Sequence, residues 1–103
     1  MKRTINHKLY NTSTAERVGY YHNGLEDNDF NVVEEVLYRK KNGEFFLHGW
    51  GGANTNYRKK IGQRWWSDGE AIVPLSLGEA REWAELHLDA DKCIELFGEV
   101  EKG

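Results

Sequence analysis

The run from Asp29 to Gly52, DFNVVEEVLYRKKNGEFFLHGWGG, constrains the fold more than any other part of the chain. Two stretches rich in Val, Leu, Tyr, Phe and Trp flank Asn42-Gly43, and Asn-Gly suits the positive φ angles of a two-residue type I′ turn. A hairpin closing on those two residues is expected to set Lys41 opposite Glu44, Arg39 opposite Phe46, Tyr38 opposite Leu47, Leu37 opposite His48 and Glu35 opposite Trp50. Directly opposed side chains share a face of an antiparallel pair. On this register the core face collects Phe30, Val32, Val36, Tyr38, Phe45 and Leu47. The other face collects Val33, Glu35, Leu37, Arg39, Phe46, His48 and Trp50. Neither face is purely polar, which places the hairpin in the middle of a sheet.

The chain has 103 residues, the size of one ordinary domain, and a single domain spanning 1–103 is expected. Aromatic residues make up 13% of it, too many for a disordered chain. Its one cysteine, Cys93, has no partner for an internal disulfide and reads as a buried helix residue. No apolar run approaches the length of a membrane span and no signal-peptide core follows Met1, so a cytoplasm is the expected compartment. The net charge of −3 hides a division: residues 1–69 carry eleven Lys or Arg against eight Asp or Glu, and residues 70–103 carry three against nine. The acidic segment reads either as the solvated face of C-terminal helices or as a surface that meets a basic groove, with Glu82, Glu85 and Glu95 as its candidate contacts.

Leu9-Tyr10 and Val18 to Tyr21 read as two short strands joined by the turn-forming Asn11 to Thr14. After the long hairpin, Asn54 to Gly62 lacks periodicity and reads as loop. Ala71 to Leu75 reads as a last strand, with Pro74 placing it at an edge or near its own end. Ser76-Leu77-Gly78-Glu79 is a capping box, and Leu77, Ala80, Trp83, Ala84 and Leu88 recur behind it at helical spacing. A second helix is expected after Asp89, with Cys93, Leu96, Phe97 and Val100 on one face. Gly98 ends it, and Glu99 to Gly103 reads as a frayed acidic tail. Strands at about 8–75 followed by helices at about 77–98 imply an α+β fold: a twisted antiparallel sheet of four or five strands with the helix pair across one face. The helix stripe is expected to pack on Val36, Tyr38 and Leu47.

The four histidines and the cysteine lack the paired spacings of a zinc site, and no cofactor motif is present. Gly49 to Gly52 follows a strand but has neither phosphate-loop pattern; it reads as a bulge or as close backbone packing, here against Trp65-Trp66. Glu35, His48 and Trp50 share a face on the register above, but no nucleophile or oxyanion donor accompanies them, so no catalytic residue is assigned. The candidate binding segment is Tyr57 to Trp66. Its Arg58, Lys59, Lys60 and Arg64 interleave with Tyr57, Trp65 and Trp66, a mixture that neutralises phosphates and stacks on bases. The same residues suit a protein interface with Arg and Trp hot spots, or a solvated loop whose tryptophans plug the core.

The pattern D-F-x-x-x-x-E-x-L-Y-R-K-K-x-G-x-F-F-L-x-G-x-G-G from Asp29 to Gly52 resembles a family of short accessory proteins of bacterial phages, plasmids and other mobile elements. Lys8 to Thr12 with Thr14 to Glu16, Pro74 to Ser76, Glu79-Ala80, Glu82 to Ala84 and His87 to Asp91 extend the resemblance over nearly the whole chain. The resemblance implies a small, non-enzymatic protein that binds and disables a host defence, of the anti-CRISPR kind that acts on Cas9-type effectors. The implied partner is a Cas effector protein or its guide-RNA complex, whose channels for guide and target are positively charged. The alternative is a regulatory protein that binds nucleic acid through residues 57–66.

Overall fold

The computed structural model describes residues 1–98, so the expected tail and Val100 lie outside the described residues. The chain runs through β1 (Lys2–Ile5), β2 (Lys8–Asn11), β3 (Glu16–His22), β4 (Val33–Arg39), β5 (Phe45–Gly51), β6 (Lys59–Ile61), β7 (Trp65–Ser67), β8 (Gly69–Leu75), α1 (Leu77–His87) and α2 (Ala90–Phe97). Strands β3-β4-β5-β8 form one four-stranded antiparallel sheet, and β1-β2 and β6-β7 form separate two-stranded hairpins. The fold is α+β with the two C-terminal helices packed on the sheet. The long hairpin supplies the two central strands, and β8, which carries Pro74, is an edge strand.

The turn of that hairpin differs from the expected one. Lys40 and Glu44 close it, with the Lys40 amide donating to the Glu44 carbonyl at 2.7 Å and the Gly43 amide donating to the Lys40 carbonyl at 2.9 Å. The loop therefore has three residues, Lys41, Asn42 and Gly43. Gly43 takes φ +92°, whereas Asn42 is not at positive φ, so the two-residue type I′ geometry is excluded. Asn42 instead accepts the Glu44 amide on its side-chain oxygen at 3.0 Å, a local bond that fixes the loop. One added loop residue shifts the register by one. Arg39 faces Phe45, Tyr38 faces Phe46, Leu37 faces Leu47, Val36 faces His48, Glu35 faces Gly49 and Glu34 faces Trp50.

A one-residue shift exchanges the faces of one strand relative to the other. Val36 and Tyr38 do not lie under the helices. The helix side carries Leu37, Phe45 and Leu47, joined by Val18 from a bulge in β3, and it packs against Ala80, Trp83, Ala84 and Cys93. Of the expected α1 stripe, Leu77 is exposed, and Leu88 caps the helix while packing against this cluster. The capping box is present: the Ser76 hydroxyl accepts from the Glu79 amide at 3.1 Å, and the Glu79 carboxylate accepts from the Ser76 amide at 2.9 Å. Asp89 caps α2, and Gly98 ends it at φ +89°. Cys93 is buried, and burial pushes its thiol up.

The opposite side of the sheet is covered by an N-terminal hairpin, so the strands begin at Lys2 and not near residue 8. Asn6 and His7, both at positive φ, form the two-residue turn between β1 and β2. Tyr10 meets Phe46 edge-on at 5.4 Å, Tyr38 stacks on Phe46 at 5.2 Å, and Ile72 completes this second cluster. The sheet thus has a core on both sides. Phe46 and Leu37, fully buried on opposite sides of it, each contribute about 1.5–3 kcal/mol through burial. Phe30, expected in the core, is 67% exposed.

Candidate binding hairpin

The segment expected to be loop at 54–62 contains β6, which pairs with β7 in a small hairpin turned by Gly62 at φ +70°. The pairs are Lys59 with Ser67, Lys60 with Trp66 and Ile61 with Trp65. Alternation divides the residues between two faces. Arg58, Lys60 and Trp66 share one. The Arg58 guanidinium lies 4.0 Å from the Trp66 ring centre and the Lys60 ammonium 5.8 Å from it, both in cation–π range. Lys59, Ile61 and Trp65 lie on the other face, where Trp65 is 71% exposed. Neither tryptophan plugs the core. Among the described residues, none of Arg58, Lys59, Lys60 or Arg64 is in an ion pair.

Tyr57 has a different role from the one its neighbours suggested. It is partly buried, its ring lies against Gly49, and its hydroxyl donates to Glu35. A methyl group at Gly49 would occupy the space of that ring, so glycine there makes room for an anchor. Burial first, and then the bond to Glu35, push the Tyr57 phenol above its ordinary range. The other Glu35 oxygen accepts from the Trp83 indole nitrogen at 3.0 Å. One carboxylate therefore ties the root of the binding segment to α1. The glycine run packs against residues other than Trp65-Trp66: Gly51 lies beneath Thr55, and Gly52 beneath the backbone of residues 29–30.

The second stem of the hairpin is also pinned, because Asp68 accepts the Trp50 indole N–H at 3.2 Å. Trp50 and His48 lie on the face away from the helices, and His48 pairs with Glu70 at 2.8 Å. Glu35 is on the helix side, so the expected Glu35, His48 and Trp50 constellation is not assembled, and Arg39 pairs with Glu16 at 3.0 Å. At the foot of the hairpin a cleft of about 630 Å³ brings Arg3 beside Arg58 and Lys59, with Trp50, Asp68 and Glu70 along its wall. Arg3 was invisible as a site residue because only the N-terminal hairpin, packed on the sheet, carries it there. On the Trp66 side, a cleft of about 280 Å³ is lined by Asp27, Asp29, Phe30 and Asp68.

The alternative acidic residues are dispersed on the helices. Glu82, Glu85 and Glu95 are exposed, and Glu95 is paired with Lys92 at 3.4 Å. Among the described residues, no three His, Cys, Asp or Glu side chains converge as metal ligands, and no helix is long and apolar enough to cross a membrane. Comparison of the chain with protein-family models, curated proteins and solved structures finds no match to any of them.

Proposed function

We propose that this is a non-enzymatic accessory protein of a bacterial mobile element, acting in the host cytoplasm by binding and inhibiting a Cas-type effector loaded with guide RNA. The resemblance of residues 29–52 to mobile-element proteins motivates the choice of target. The observation that carries the binding role is the β6–β7 hairpin, whose four cations lack ion-pair partners among the described residues and whose Trp65 faces solvent. Both stems of the hairpin are anchored, at Tyr57 and at Asp68, so little conformational entropy is lost when a partner docks.

Target DNA cleavage by a purified guide-loaded effector, titrated with the protein, tests the proposal. Near-stoichiometric inhibition is expected, and unchanged cleavage across a panel of effectors overturns the choice of target. A regulator that binds nucleic acid directly is the competing reading, supported by the same basic and aromatic hairpin. Capture of the effector by tagged protein before and after nuclease treatment separates the two. An inhibitor that grips the effector protein retains it after nuclease, and a nucleic-acid regulator loses it.

A further inference from the structure

We infer that the β6–β7 hairpin takes single-stranded nucleic acid, with Trp65 as the platform on which a base stacks. This rests on the reading of the hairpin as the binding element and names the chemistry it recognises. Two features are needed to hold a single strand without regard to sequence: cations that follow the phosphates, and an aromatic ring with a free face. Arg58, Lys59, Lys60 and Arg64 supply the first, and the cleft at the foot of the hairpin adds Arg3 alongside Asp68 and Glu70.

The two tryptophans are not equivalent. Trp66 is already covered by the Arg58 guanidinium at 4.0 Å, and it borders the cleft that holds Asp27, Asp29 and Asp68, whose carboxylates repel a phosphate backbone. Trp65 points the other way. It is 71% exposed, stands opposite Ile61, shares its face with Lys59 and, among the described residues, carries no cation over its ring. A strand passing over that face meets an open indole with Lys59 beside it and stays clear of the cleft that holds Asp27 and Asp29.

Binding of a short oligouridylate to the purified protein, followed by fluorescence anisotropy, tests this. Affinity is expected to fall with salt at a log–log slope of about −2 to −3, as for three or four phosphates on a single strand. Trp65→Ala should weaken the oligouridylate about ten-fold or more, as loss of one base–aromatic stack does. Heparin binding, which needs charge alone, should not change, and the thermal midpoint should stay that of the parent protein. Duplex RNA should bind more weakly than the single strand.

An oligouridylate affinity that Trp65→Ala leaves unchanged, or equal affinity for duplex, overturns the inference in favour of a simple polyanion surface. Absence of oligouridylate binding, with effector capture that survives nuclease, overturns it in favour of a protein contact. Inhibition of cleavage is scored separately. Oligouridylate binding without inhibition sinks the proposed target and leaves this inference standing, and inhibition without oligouridylate binding does the reverse.

Discussion

In the four-stranded sheet, Phe46 and Leu37 are wholly buried and no charged residue is, whereas in the β6–β7 hairpin a tryptophan exposes 71% of its surface beside four cations. Both regions are antiparallel hairpins of aromatic, aliphatic and basic residues, so composition does not separate them. What separates them is cover. The β4–β5 hairpin has α1 and α2 on one side and β1–β2 on the other. The β6–β7 hairpin has only its two anchored stems, and six residues in paired strands do not bury enough apolar area to form a core of their own. Its exposed rings therefore contribute little to folding and are free for a partner. Mutations should divide accordingly: large stability losses under the helices, and binding losses without stability losses on the small hairpin.

The largest effect is expected at Trp83. It is 7% exposed, packs among Leu37, Leu47 and Val18, and donates to Glu35. Trp83→Ala should cost about 3–5 kcal/mol in chemical denaturation, from lost burial and the cavity left behind. A loss below about 1 kcal/mol would mean that α1 does not hold the sheet, and the contrast between the two hairpins would fail.

Tyr57 sits on the boundary between the regions. Tyr57→Phe removes the donor to Glu35 and should cost about 1.5–3 kcal/mol, the range for a hydrogen bond to a charged acceptor. The same variant has a pH signature. The folded-state phenol titrates above its ordinary value of 10, so the stability it contributes is fully present below pH 10 and is lost as pH rises from there toward the folded pKa. The parent protein should lose stability above pH 10 more steeply than Tyr57→Phe does. Tyr20, raised by its bond to Glu34, leaves the variant some residual slope. Parallel curves for the two proteins would show that Tyr57 is not bonded to Glu35 in solution.

Much of this division was legible in the sequence, and the failures have a common physical cause. The helices were readable because their signals are local: the capping box at Ser76 and Glu79, Asp89 as a cap, and Gly98 as a stop. The alternation of apolar residues through residues 29–52 likewise marked the central strands. Register is not local in the same way. Asn42-Gly43 fits both a two-residue turn and the last two places of a three-residue loop, and that single residue decides which of Leu37 or Val36 meets the helices. The two-residue turn at positive φ occurs instead at Asn6-His7, where no run of strongly apolar residues advertised a hairpin. Strands β6 and β7 escaped because three-residue strands carrying Lys59, Lys60 and two adjacent tryptophans show no period. Gly62 between them was the available sign. The basic and aromatic composition of 57–66 did mark the candidate site, but it did not separate Tyr57, an anchor, from Trp65, an open ring.

A smaller effect is expected at Gly43, which takes φ +92° with open space around the position of a side chain. Gly43→Ala should cost about 1–2 kcal/mol through backbone strain alone, with no clash. Gly62→Ala, at φ +70° in the small hairpin, sharpens the comparison. If β6–β7 contributes little to global stability, its strain should appear as local fraying, read by faster amide exchange at Lys60 and Trp66, with little change in the global midpoint. Equal global losses from the two substitutions would show that both hairpins belong to one cooperative unit.

The smallest effect on stability is expected where the effect on binding is largest. Joint charge reversal of Arg58, Lys59 and Lys60 should cost about 1 kcal/mol or less, because these side chains are exposed, are in no ion pair among the described residues, and lose only the cation–π contacts of Arg58 and Lys60 with Trp66. It also places three carboxylates where phosphates or an acidic partner would lie, so affinity should drop by at least about ten-fold at moderate salt. The counterpart is reversal of Glu82, Glu85 and Glu95 on the helices, also exposed and of similarly small effect on folding. That change should leave partner binding intact. Binding that tolerates the hairpin reversal and fails with the helix reversal would move the contact surface to α1 and α2. The small hairpin would then be a solvated connection between β5 and β8, exposed for want of cover and for no other reason.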